Sequence, residues 1–223
     1  MLQNYSWPHV IYLATAVRWT VLLSLIAFGG GALCGIVLAI CGTVPIRWLN
    51  VATRSTIYVV QGVPLLVTLF ITYFGVGAVG IDFPPLLAAS IALTVFAGVY
   101  LGEIWRGAVV AIDRGQWQAA EALGLRWSQT MRLVVVPQAV RAAIPPTVGF
   151  LIQLIKNTAL TSVVGFTELT RAGQQVANLT FQPLPVYATI AVFYFVLCFP
   201  IALLCDRLEA RLARRGSSLA LTF

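Results

Sequence analysis

Charge is what this sequence has least of. Only 9% of its 223 residues are Asp, Glu, Lys or Arg, against about a quarter in ordinary soluble domains. With 60% hydrophobic residues and a mean hydropathy of +0.92, the chain has too little polar surface for a water-soluble globule. Histidine is almost missing: His9 stands alone, ahead of the first long apolar run. Cysteine is sparse, with Cys34 and Cys41, then Cys198 and Cys205, each pair seven residues apart on one helical face. They read as small packing residues, not as a disulfide framework, and no zinc or haem spacing exists. There is one lysine, Lys156 in LIKNTAL, and no glycine precedes it as a phosphate loop requires. The chain therefore binds no cofactor of its own and cannot bind and split ATP alone. No repeat relates two halves, as it commonly does in a complete secondary carrier. The opening MLQNYSWPHV lacks the basic region of a cleavable signal, so the first apolar segment is expected to remain in the mature protein.

What the sequence has is long uncharged runs. A helix needs about 20 apolar residues to cross a bilayer, and a charge at its centre is costly. One run lies between Arg18 and Arg47, a second between Arg54 and Asp82, and a third covers Phe83 to Gly102. A fourth extends from Leu133 to Ile155, interrupted by Arg141, Pro137, Pro145 and Pro146, and a fifth from Pro185 to Cys205. The expected fold class is all-α, a polytopic membrane protein of about five transmembrane helices in a single domain over residues 1–223. Arg47 and Arg54, then Arg106, Arg114, Arg126 and Arg132, then Arg207, Arg211, Arg214 and Arg215 fall in alternate loops. Cytoplasmic loops hold the basic excess, which places the N-terminus outside and the C-terminus inside. Topology thus accounts for the net charge of +7, and nucleic acid is not needed to explain it.

One polar stretch interrupts the pattern. Residues 113–132, DRGQWQAAEALGLRWSQTMR, are rich in helix formers. Gly124 is expected to end or bend a first short helix, after which SQTMRLVVVP starts another with Ser128 as its cap. Two short helices at an angle would make a knob; an amphipathic hairpin lying on the membrane is the competing reading.

The spacing within this stretch decides between them. Gln118, Ala119 and Ala120, three residues, Gly124, nine residues, then Val134, Val136 and Pro137 resemble the Glu-Ala-Ala signature of ATP-binding cassette importer permeases. Gln118 stands where the signature has Glu, and Glu121 is displaced by three. QGVPLLVTLFITYFGVG at 61–77, GVYLGEIWRGAVVAIDRGQWQAAEALGL at 98–125 and IKNTALTSVVGFTELTRAGQQ at 155–175 resemble segments of the polar amino-acid permeases in that family. The resemblance implies a type I importer permease in a bacterial cytoplasmic membrane. It implies a second permease subunit, identical or paralogous, two cytoplasmic ATP-binding subunits that hold ATP and Mg, and an extracytoplasmic solute-binding protein. Residues 116–130 would then be the coupling helix, with Gln118, Ala119, Ala120, Glu121, Gly124, Leu125, Arg126 and Trp127 at the ATPase contact. Leu123, Leu125 and Trp127 are the apolar candidates for its groove and Arg126 for its rim.

Polar residues inside the spans are the candidates for the solute path, with packing as their alternative. Glu103 and Arg106 stand one turn apart and read first as a helical ion pair. Arg141 either snorkels to the cytoplasm or meets Glu103. Gln153, Lys156 and Asn157, followed by Thr158 and Thr161, cluster beside an expected helix break. They fit an amino acid's carboxylate and ammonium, and equally a solvated helix end. In the family that the chain resembles, Asn157 is often Asp and Gln61 commonly Arg, so the departure at Asn157 argues against a cationic cargo. Gly62 and Pro64, beside Gln61, are expected to bend the second span. A stand-alone carrier or channel, or a membrane scaffold without transport, are the rival functions; the signature-like loop speaks against the first.

Overall fold

The computed structural model describes residues 4–78 and 80–220, which are helical with no strand among them. α1 (Trp7–Cys41) opens with Pro8 in its first turn, where a missing N–H is harmless. It lies beside α5 (Pro85–Val110) along most of its length. Small residues are the reason: a Cβ built on Gly31 would stand 2.5 Å from the Ala97 Cβ, and one on Gly98 2.8 Å from the Cys34 Cβ. Further along, Gly35 meets Leu101 and Gly102, and Gly42 meets the Arg106 stem. The matched positions rise together in both helices, so α1 and α5 run parallel. A chain that passes twice in the same direction has crossed back once between them.

That return crossing is not the straight helix suggested by the run from Arg54 to Asp82. α2 (Arg47–Gln61) and the helix that follows meet at 92°. The corner is Gly62-Val63-Pro64, where proline fixes φ and starts a new helix, so the expected bend is a right angle. α3 (Leu65–Phe70), a π-helical turn (Ile71–Gly75) and α4 (Val76–Ala78) carry the chain back toward the start of α5. Residue 79 lies outside the described residues, as do 1–3 and 221–223.

After the polar loop, α8 (Val136–Asn157) runs antiparallel to α5: the Trp105 indole donates to Thr147 Oγ1 at 2.9 Å, and Tyr100 stacks on Phe150. Pro137, Pro145 and Pro146, which interrupt the apolar run, do not break the helix. Pro137 occupies the first turn, and Pro145 and Pro146 leave free the carbonyls of Arg141 and Ala142, two exposed residues. α8 ends in a 3-10 turn (Thr158–Val164), and Gly165 at φ 86° reverses the chain into α9 (Leu169–Thr180). α10 (Pro183–Ala220) then runs antiparallel to α8, with Cys205 Sγ donating to the Pro145 carbonyl. It starts two residues before, and extends well past, the apolar run from Pro185 to Cys205.

The interior divides into two clusters. One joins α1, α3, α5, α8 and the 3-10 turn around Leu23, Leu69, Phe96, Phe150 and Phe166. The other joins α1, α9 and α10 around Leu13, Leu169, Val176 and Ile190. Large apolar side chains also cover the outside: Leu33, Val37, Val59, Leu133, Val192 and Phe195 are exposed. In a bilayer these face hydrocarbon, so their exposure carries no penalty.

Candidate functional site

The polar stretch folds as a compact knob at one end of the bundle. α6 (Arg114–Ala122) is capped by Asp113, whose Oδ1 accepts from Gly115 N at 2.7 Å. The helix closes where Gly124 N donates to Glu121 O and Leu125 N to Ala120 O, a pattern that needs the left-handed backbone of Gly124, φ 71°. α7 (Trp127–Thr130) follows at once. Its cap is Arg126, with Gln129 Oε1 accepting from Arg126 N at 2.9 Å; Ser128 therefore lies within the first turn and does not cap. Gln138 of α8 donates to Gln116 Oε1 at 3.2 Å, tying the knob to the membrane helices.

Gln118, Ala119, Glu121, Gly124, Arg126 and Trp127 are exposed on this knob, and Leu125 is half-buried. Leu123 is 79% exposed, an unusual state for leucine at a polar end of the molecule. Ala120 departs from the expectation: it is buried against the protein's own core side and cannot touch a partner.

At the same end of α5, Glu103 and Arg106 form the expected ion pair, with Nε to Oε2 at 2.8 Å and Nη2 to Oε1 at 2.5 Å. Arg54 of α2 stands within electrostatic reach of Glu103. Arg141 does not join them. It is exposed on α8 and makes no ion pair among the described residues, since it lies on a face turned away from α5.

The far end of α8 holds the other candidate group. Gln153 and Lys156 are exposed and Asn157 half-buried. They continue a line of exposed residues one helical turn apart, Ala142, Pro146, Gly149, Gln153 and Lys156, that contains no large aliphatic side chain. Thr158 and Thr161 do not share this surface. Both are fully buried, their hydroxyls donating to Ile155 O at 2.8 Å and Thr158 O at 2.7 Å as the helix tightens. Gln61 is half-buried at the α2–α3 corner. Sequence reasoning missed Glu168, which is fully buried at the start of α9. A lone acid between two apolar segments was its only signal.

A family model described as binding-protein-dependent transport system inner membrane component matches residues 31–214. The chain belongs to this family. The probable amino-acid ABC transporter permease YckA of Bacillus subtilis strain 168 is 32% identical over 208 residues, covering 93% of this chain and 91% of that protein. The glutamine transport system permease GlnP of Escherichia coli strain K12 is also 32% identical, covering 92% and 95%. The L-cystine transport system permease TcyB of Bacillus subtilis is 32% identical, covering 96% and 91%. Among solved structures, a crystal structure of an amino acid ABC transporter with histidines matches with a TM-score of 0.85 at 32% identity, over 90% of this chain and 94% of that one. The MetNI methionine transporter in an inward-facing form shares the fold, with a TM-score of 0.78 at 23% identity, over 92% and 99%. The chain is thus a multi-pass permease subunit of an ATP-driven importer of the inner membrane, and ATP hydrolysis belongs to a separate subunit. The readings as a stand-alone carrier or a scaffold fall away.

Proposed function

We propose that this permease moves polar amino acids or close analogues from an external binding protein to the cytoplasm by alternating access, paired with a second permease chain. Its knob at residues 113–132 docks one of two cytoplasmic ATP-binding subunits, which bind ATP and Mg, and its N-terminus faces out. The relatives named for glutamine and cystine support the cargo class. The observation that carries the reading is the exposed line on α8 from Ala142 to Lys156. Facing lipid, such a line would leave Gln153 and Lys156 in hydrocarbon at a cost of several kcal/mol. Facing the second permease chain across a wet gap, it becomes a wall along which a zwitterion can pass.

At the end of that wall, Lys156 is the natural partner of a cargo carboxylate, and Gln153 and Asn157 supply hydrogen bonds without charge. Gln61, at the corner of a broken helix, belongs to the same path on the neighbouring element. No acid stands beside Lys156 on this wall, which disfavours a second positive charge on the cargo.

Uptake of twenty radiolabelled L-amino acids by cells with and without the intact importer tests this. Uncharged polar amino acids should accumulate in an ATP-dependent manner, and Asn157→Leu should reduce uptake or change the preferred member. Accumulation of no amino acid, or a preference for arginine and lysine, would overturn the cargo assignment.

A further inference from the structure

α9 is twelve residues long and begins level with Thr20 of α1, so its first turn sits against the interior of the bundle and not in open water. A helix start leaves backbone N–H groups without partners, which apolar surroundings do not forgive. Glu168 supplies them. Its Oε1 accepts from Arg171 N and its Oε2 from Thr170 N, both at 2.8 Å, while Leu169 N finds Thr20 Oγ1 at 3.2 Å.

A cap requires no more than this, and Asp, Ser or Thr would provide it without a long acidic side chain. Burying a carboxylate is expensive, so its use where a shorter cap would serve needs a separate account. The second bond of Oε2 gives one. The Tyr194 hydroxyl of α10 donates to it at 3.1 Å. Having spent its single proton there, Tyr194 accepts from Thr170 Oγ1 at 3.0 Å. Thr158, the first residue after α8, opens the 3-10 turn, whose Thr161 carbonyl accepts from Phe166 N, and Glu168 N in turn donates to Phe166 O. One buried carboxylate therefore links α9 to α10 at the place where α8 ends and the chain tightens.

Lys156 and Asn157 occupy the turn immediately before Thr158. We propose that Glu168 is a positioning residue of the solute path: held by Tyr194, it anchors the turn that follows α8, and so sets the direction in which Lys156 and Asn157 meet the cargo. This inference rests on reading that turn of α8 as the wall of the path.

Two substitutions separate the positioning role from the cap. Tyr194→Phe removes one hydroxyl and keeps the ring that packs against α9. Glu168→Asp keeps a capping carboxylate but falls one methylene short of Tyr194. Uptake is measured in cells carrying the intact importer, with the best-transported member of the twenty radiolabelled L-amino acids as probe. Each variant should raise the half-saturation concentration about tenfold, the worth of one hydrogen bond to a charged group, with the maximal rate and membrane level nearly unchanged. Because both break the same bond, the double variant should be no worse than either.

Wild-type half-saturation in both variants, or loss of rate and protein level with half-saturation intact, would overturn the proposal and leave Glu168 as a cap alone. Asn157→Leu, run in parallel, keeps the two readings apart. If it alters uptake while Tyr194→Phe and Glu168→Asp do not, the path stands and the positioning role falls. If Asn157→Leu is silent while Tyr194→Phe raises half-saturation, the path reading falls and takes this inference with it.

Discussion

Gly31, Gly35, Gly98 and Gly102 have no side chains, and α1 and α5 approach closely for that reason. Between membrane helices the lipid supplies no hydrophobic drive, so association depends on van der Waals contact that small residues make possible. A valine at Gly31 would press on Ala97 and on the α5 backbone, whereas at Gly29 nothing lies within 4 Å of an added Cβ. Gly31→Val should cost about 1–3 kcal/mol and lower the melting temperature of the detergent-solubilised protein, while Gly29→Ala should not. Equal melting of the two would mean that the close approach is not what holds the pair. The four-residue glycine spacings in GGALCG and GVYLG are helix-packing marks that the sequence reading passed over. Which glycine meets which was not legible at all, because no local pattern encodes the register between distant segments. The same blindness explains Thr158 and Arg141: the sequence placed both near the path or the ion pair, and only the neighbouring helices decide that one is buried and the other turned away.

Among the elements, the knob of α6 and α7 was the most legible, since Gly124 and the helix formers around it specify their geometry locally. Its errors were small and local too, a cap at Arg126 in place of Ser128 and an inward Ala120. The α8 prolines leave their helix unbroken for a physical reason. A proline weakens a helix by wasting a carbonyl and crowding the preceding turn, but here the helix is held by its neighbours and the freed carbonyls belong to exposed Arg141 and Ala142. Two changes test what the knob does. Gly124→Asp forces a side chain into a left-handed position, at about 1 kcal/mol or more, and puts a charge on the docking face. Leu123→Ser leaves the backbone alone and removes only the exposed apolar tip. Both proteins should insert normally. Solute-stimulated ATP hydrolysis and uptake in reconstituted vesicles should fall together, by an order of magnitude for Gly124→Asp and less for Leu123→Ser. Intact coupling in both would show that the knob only rests on the membrane surface.

For the molecule as a whole, the parallel course of α1 and α5 and the meeting of its two outer ends fix the relation between the termini. The Tyr5 hydroxyl donates to Thr189 Oγ1 at 2.8 Å, so α1 and α10 begin on the same side, and α10 then runs the full depth of the bundle. The chain must end on the side opposite to its beginning, which an odd number of crossings also demands. This holds even though the second crossing is a right-angled corner and not a span, because α3 and its continuation still return the chain to the start of α5. The side proposed to face the cytoplasm rests on charge alone. Arg47, Arg54, Arg106, Arg114, Arg126, Arg132 and Arg207 gather at the knob end, against Arg18, Lys156 and Arg171 toward the other. Ser6, exposed at the opening of α1, is the place to read it. In intact cells Ser6→Cys should react with a membrane-impermeant maleimide, with the wild-type protein and its four native cysteines as the blank, while a fluorescent protein fused after Phe223 should fluoresce inside. Labelling of Ser6→Cys only after the cells are opened, with the C-terminal fusion still fluorescent, would put both ends inside and break the odd crossing. A protected Ser6→Cys with a dark fusion would keep the crossing count and reverse the orientation, leaving the knob on the side where no ATP is found.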